Sequence, residues 1–223
     1  MSELERRFTP GLVEVRASAP ESRTVGGYAA KFNKPSDNLG GFIEFIAPGA
    51  FNRSRGNDWP GVMARYNHED NFLLGTTGAR TLRLATDETG LHYEVDLPNS
   101  RADVFELIQR GDVAKSSFAF RVIGGDGDEW GLSDQNFPQR TLLSVDLVDV
   151  APVNVPAYAD TSTAVRSLAK HVHADEAEVR KLASEGELRR FFMRTDVDGG
   201  KPRQTLGAQA RMALLGRKSD WAS

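Results

Sequence analysis

The sequence predicts a mixed α+β fold, mainly β, that ends in a helical C-terminal tail. Three observations carry this. Short runs with two-residue alternation recur between residues 11 and 155, set off by Gly, Pro and Asn clusters. Within that span only residues 100–110 combine an apolar helical stripe with terminal signals. Beyond Tyr158 the composition turns to the Ala, Leu, Glu, Lys and Arg of helices. A boundary at residues 160–165 therefore separates a body, residues 1–164, from a basic helical tail, residues 165–223.

In chain order, residues 1–10 are polar and are expected to be poorly ordered. Residues 11–16 and 23–32 read as strands. In the second, Gly26-Gly27 marks a bulge or a close backbone approach. Residues 33–41 are turn-rich, 42–46 form a brief apolar strand, and 48–51 open a single helical turn. Residues 62–66 form a short strand that delivers His68, and 71–80 read as loop. A hairpin follows from residues 81–85 and 91–97, with Gly90 in a left-handed turn position. Leu91, Tyr93, Val95 and Leu97 share one face of its second strand; His92, Glu94 and Asp96 share the other.

Ser100 is placed to cap a helix striped by Val104, Phe105, Leu107 and Ile108, and Gly111 fits just past its end. Residues 115–123 are the next strand. Residues 124–131 read as an acidic turn and 132–139 as a connection. Residues 140–155 read as one long apolar strand, with Pro152 and Pro156 at its end or at a sheet edge. Helices are expected near residues 160–173, 175–193 and 205–218, with a linker at 196–202.

The 223 residues hold no Cys, which excludes disulfides, thiolate metal sites and cysteine-protease chemistry. From Arg166 onward 12 Lys and Arg face 8 Asp and Glu, against 16 and 23 before it. An acidic body argues against a nucleic-acid-binding core. No apolar run is long enough to span a bilayer and no signal peptide is evident, so an intracellular soluble protein is expected, with no membrane partner.

Serine hydrolysis needs a nucleophile, a histidine and a group that orients the imidazole. Alternation in residues 115–123 sends Ser116 inward with Phe118, Phe120 and Val122. Ser117 shares the other, open face with Lys115, Ala119 and Arg121, which makes it the better nucleophile. Arg121 is a candidate oxyanion stabiliser, with an exposed structural arginine as the competing reading. His68 is the candidate base, against an ordinary surface histidine. Asp149 stands in the apolar row Leu143, Val145, Leu147, Ala151 and Val153, so it needs a buried partner, whether catalytic or a structural ion pair. Asp126, Asp128 and Glu129 do not match a calcium loop, and His171 with His173 lacks a third metal ligand. No metal or organic cofactor is expected.

The order Gly26-Gly27-Tyr28-Ala29, Phe42-Ile43-Glu44, Pro48-Gly49-Ala50-Phe51, Asn67-His68, Gly90-Leu91, Ser117-Phe118-Ala119-Phe120, Asp149-Val150 and Val155-Pro156-Ala157 resembles the prohead proteases of tailed bacteriophages, relatives in fold of herpesvirus assemblin. The resemblance implies a β-barrel surrounded by helices. It also implies a serine endopeptidase that cleaves scaffold, or the scaffolding segment of the major capsid protein, and itself, inside the assembling prohead in the host cytoplasm. A homo-oligomer is compatible with it. His68 maps to the family's base and Ser117 to its nucleophile. The third position, usually glutamate, holds Asp149, with His92 as the fallback. A non-catalytic assembly protein of the same fold is the alternative. The resemblance assigns no role to the insertion at residues 124–139, which is expected to be a loop near the cleft.

Overall fold

The computed structural model describes residues 3–16, 22–154 and 161–193. In chain order the strands are β1 (Glu5–Leu12), β2 (Glu14–Val15), β3 (Thr24–Lys31), β4 (Ile43–Ile46), β5 (Met63–Arg65), β6 (Leu73–Thr76), β7 (Leu82–Thr86), β8 (Gly90–Asp96), β9 (Lys115–Val122), β10 (Asp128–Leu132), β11 (Pro138–Leu142) and β12 (Val145–Val153). The helices are α1 (Asn52–Gly56), α2 (Ala102–Arg110), α3 (Thr161–Val172) and α4 (Glu176–Ser184). The expected helix at residues 205–218 lies outside the described residues.

Strands dominate, as the alternation predicts, and among the described residues they form three sheets. Their orders are β1-β9-β12-β5-β6, β10-β11-β4 and β2-β3-β8-β7. None closes on itself, so the expected closed barrel is corrected to three open sheets. The main core lies where side chains of the five-stranded and four-stranded sheets meet: Phe118, Phe120 and Val150 from one, Val25, Leu91, Tyr93 and Val95 from the other. A second apolar cluster joins Phe42 and Trp130 of the three-stranded sheet region to Leu168 of α3, Val179 and Leu182 of α4, and Leu188. Asp175 starts α4 by accepting from the N–H groups of Ala177 and Glu178.

Several local expectations change for physical reasons. Residues 5–10 are not frayed: β1 pairs antiparallel with β9, and Glu5 and Arg7 enter a buried ion cluster. Residues 124–139 are a hairpin rather than a loop, since Trp130 finds Phe42 at a 5.0 Å ring separation and β11 pairs with β4. Residues 73–76 of the expected loop form β6, an edge strand beside β5. The long apolar strand is two strands, β11 and β12, divided at Leu143 and Ser144. Pro152 sits inside β12, but β5 pairs only with Asp149 and Val150, so its missing N–H leaves no gap in that ladder.

Gly90 is not left-handed. It opens β8 opposite Lys31, and a Cβ there would collide with the Ala30 carbonyl. Gly26 is close-packed for the same reason, against the Tyr93 carbonyl. Gly111 does end α2 in the left-handed region, at φ 82. Ser100 does not cap that helix; it lies in a 3₁₀ turn, Asn99–Arg101, that leads into it.

Candidate active site

β9 behaves as its alternation requires. Phe118 and Phe120 stack in the core with ring centroids 5.1 Å apart, and Ser116 joins them, its Oγ 3.2 Å from the Tyr93 hydroxyl. Burial pushes the Tyr93 phenol well above its ordinary range, with the Ser116 hydrogen bond acting weakly the other way. Ser117 lies on the opposite face, beside Ala119. That face is not open, however: Ser117 is 1% exposed and Ala119 is fully buried.

What covers it begins with β5. After Arg65 the chain turns through the 3₁₀ turn Tyr66–His68, where Asn67 (φ 53) and His68 (φ 60) are both left-handed. Two consecutive left-handed residues cost roughly 1–2 kcal/mol each, least at Asn. The Asn67 side chain offsets part of this by accepting from the Asn154 N–H at 3.1 Å, which ties the turn to the end of β12. The turn thereby drops the His68 ring onto the Ser117 face.

Asp149 arrives there through an irregularity. In the β9–β12 ladder Leu147 pairs with Phe120 and Asp149 with Ala119, so Val148 is an extra residue, a β-bulge. The bulge reverses the alternation: Val145 and Leu147 face the core, whereas Asp149 and Ala151 share the face of Ala119 and Ser117. The apolar row of the sequence is thus two half-rows on opposite faces, and the acid does not interrupt the core.

These three segments bring the predicted residues together. His68 Nε2 is 2.6 Å from Ser117 Oγ, and His68 Nδ1 is 2.6 Å from Asp149 Oδ1. A carboxylate can only accept, so Nδ1 carries the hydrogen and Nε2 is left as the acceptor for the serine. His68 and Asp149 are buried, Asp149 completely. His92 is not brought to this group. It lies on β8 between Ala85 and Tyr28, its ring edge-on to Tyr28 at 5.4 Å. Arg121 stands opposite Asp146 in the ladder, four residues from Ser117 or about 13 Å of strand.

Two contacts were not legible in the sequence. Arg65 Nη1 donates to Asp149 Oδ2 at 2.8 Å, while its Nη2 lies 3.2 Å from Asp70. The only signal for it was the rule that a buried acid needs compensation, which names no partner. The Arg7 carbonyl, on β1, accepts from Ser117 Oγ at 2.8 Å. The serine hydrogen therefore has two acceptors, His68 Nε2 and Arg7 O.

Among the described residues no three His, Asp or Glu side chains gather as a metal site. Asp128, from the acidic run, instead accepts from Arg140 Nε at 2.7 Å and from Ser167 Oγ at 2.9 Å. Chemically, a hydroxyl, an imidazole and a carboxylate in one hydrogen-bonded chain can pass the serine proton to the ring as Oγ attacks a carbonyl.

The family model for the caudovirus prohead serine protease matches residues 12–175, from the end of β1 through α3, a span that includes His68, Ser117 and Asp149. Neither a curated protein nor a solved structure matches the chain. With nearly three-quarters of its length matched, the chain belongs to the caudovirus prohead serine protease family.

Proposed function

We propose that Ser117, His68 and Asp149 are the catalytic triad of an endopeptidase that cuts scaffold, or the scaffolding segment of the major capsid protein, and itself, inside the assembling prohead. The observation that supports this best is the unbroken chain from Ser117 Oγ through both His68 nitrogens to Asp149 Oδ1, each link 2.6 Å. Ser117 Oγ attacks the scissile carbonyl and His68 Nε2 takes its proton. Nδ1–H remains on Asp149, which fixes the tautomer and stabilises the imidazolium that forms. The ring then returns the proton to the leaving amine, and water releases the acyl group by the same path in reverse.

Because Ser117 is 1% exposed, a peptide carbonyl reaches it only after a neighbouring element shifts. The related proposals are a fold akin to herpesvirus assemblin, a protease body at residues 1–164, and a tail at residues 165–223 that guides the enzyme into the shell or is removed by self-cleavage.

Co-expression of wild type and Ser117→Ala with the cognate capsid protein, followed by intact-mass analysis, tests the reading. The expected result is loss of capsid and scaffold cleavage by more than about a thousandfold in the variant. Unchanged cleavage would overturn it, and cleavage of model esters without capsid cleavage would point to a general hydrolase.

A further inference from the structure

The triad reading leaves without a role a half-buried cation that touches one of its members. Arg65 ends β5, three residues before His68, and its side chain is 17% exposed. β5 runs parallel to β12, with Met63 opposite Asp149 and Ala64 opposite Val150. That register brings the Arg65 guanidinium alongside the carboxylate, where Nη1 meets Oδ2 at 2.8 Å while Oδ1 is spent on His68. The groups that face Asp149 are few: His68 from the 3₁₀ turn, Arg65 and the uncharged Met63 from β5, and the uncharged Ala119 from β9. Arg65 is thus the guanidinium charge within hydrogen-bonding reach of a carboxylate that is wholly removed from water. Its other contacts are Asp70, which is 86% exposed, and the Met63 sulfur, 3.1 Å from Nη2, while its Nε is buried without a hydrogen-bond partner. The β5 backbone and the Met63 sulfur thus hold the guanidinium where it meets the acid.

Resting on the triad reading, we propose that Arg65 is a positioning residue for catalysis. It pins the second carboxylate oxygen, so that Asp149 cannot rotate about its short side chain and Oδ1 stays on His68 Nδ1. An aspartate has one methylene less than a glutamate with which to adjust. Its aim is therefore set by the backbone bulge at Val148 and by whatever holds Oδ2. In metal sites, the outer partners that orient a histidine are worth about 10–100-fold, and an effect of that order is expected here.

A fluorophosphonate reagent tests this without a known substrate, because Ser117 Oγ bonds to phosphorus, fluoride leaves and His68 takes the proton. Labelling rates would be measured for wild type, Arg65→Gln, Arg65→Lys, Asp149→Asn and the Arg65→Gln/Asp149→Asn double variant. Expected is a fall of about 10–100-fold for Arg65→Gln, partial recovery with Arg65→Lys, and little further loss when Arg65→Gln is added to Asp149→Asn. In the Ser117→Ala background, the low-field proton resonance of Nδ1–H in wild-type Arg65 protein should broaden or vanish with Arg65→Gln. A folded Arg65→Gln that labels within about threefold of wild type would overturn the proposal, as would an equal loss in the Asp149→Asn background. If Arg65→Gln fails to fold, Arg65→Lys decides: labelling below wild type with a broadened Nδ1–H resonance supports the clamp, and full labelling, or loss of labelling with that resonance unchanged, overturns it. Labelling that persists in Ser117→Ala would overturn the triad reading itself, an outcome distinct from any result at Arg65.

Discussion

At the scale of single residues, Asn67 carries two separable burdens. Its backbone is left-handed at φ 53, and its side-chain oxygen holds the Asn154 N–H. Asn67→Gly relieves the first and removes the second, whereas Asn67→Ala fails at both. Asn67→Ala should therefore destabilise the protein by about 1–2 kcal/mol more than Asn67→Gly, and label more slowly with a fluorophosphonate. Denaturant unfolding together with labelling rates would show this; equal effects would mean that the hydrogen bond, and not the backbone, positions His68. Residue types and their order along the chain were enough to nominate Ser117, His68 and Asp149, although the bulge that turns Asp149 toward Ser117 breaks the simple alternation of residues 140–155. Arg65 escaped because its role depends on β5 lying parallel to β12, a long-range register that no local pattern encodes. The Arg7 carbonyl escaped for a simpler reason: a backbone atom leaves no mark on a sequence.

Among the elements, the hairpin of β7 and β8 and the strand β9 were legible because their alternation is regular and their buried faces are continuous. β1 and the β10–β11 hairpin were not. Both are polar in sequence, and both are ordered by partners distant in the chain: Glu5 and Arg7 by Glu44 and Arg140, Trp130 by Phe42. Gly90 shows the same limit from the other side. A glycine at a hairpin reads as a turn residue, yet here it is required by the Ala30 backbone passing against it. Gly90→Ala should cost up to about 3 kcal/mol by forcing β3 and β8 apart, measurable as a lower denaturant midpoint with the slope unchanged. A turn glycine would instead be rescued by Asn; Gly90→Asn should be at least as damaging as Gly90→Ala, since the obstacle is contact and not φ.

For the molecule as a whole, five charged side chains fasten the sheets to one another. Arg140, fully buried, reaches Glu5 at 2.6 Å, Glu44 at 3.0 Å and Asp128 at 2.7 Å, while Arg7 reaches Glu44 at 2.8 Å and Glu5 at 2.7 Å. The cluster thus joins β1 of the five-stranded sheet to β4, β10 and β11 of the three-stranded one, and Ser167 of α3 touches it through Asp128. Burial alone would raise the Glu5 carboxyl, but the hydrogen bond and charge of Arg140, with those of Arg7, outweigh it and hold Glu5 below its ordinary 4.5. On acidification the unfolded chain therefore takes up this proton first. The stability Glu5 contributes is complete above about pH 5 and is lost as pH falls through its lower value in the folded protein. Unfolding by urea at stepped pH should show stability declining across that acid window; a flat profile there would mean that the cluster contributes nothing net. Arg7 also links this cluster to Ser117, its side chain in the ions and its carbonyl accepting from the serine hydroxyl.

The extra residue at Val148 has a consequence of another kind. It acts on the strand as a frameshift acts on a reading frame: every side chain after it is read in the opposite phase. An acid can therefore be carried from the core face of β12 to the face of Ser117 by a change in chain length alone, with no residue exchanged for another. Phase is a property of length, and substitution scans hold length fixed. The feature that aims Asp149 is one that replacing residues one at a time never samples.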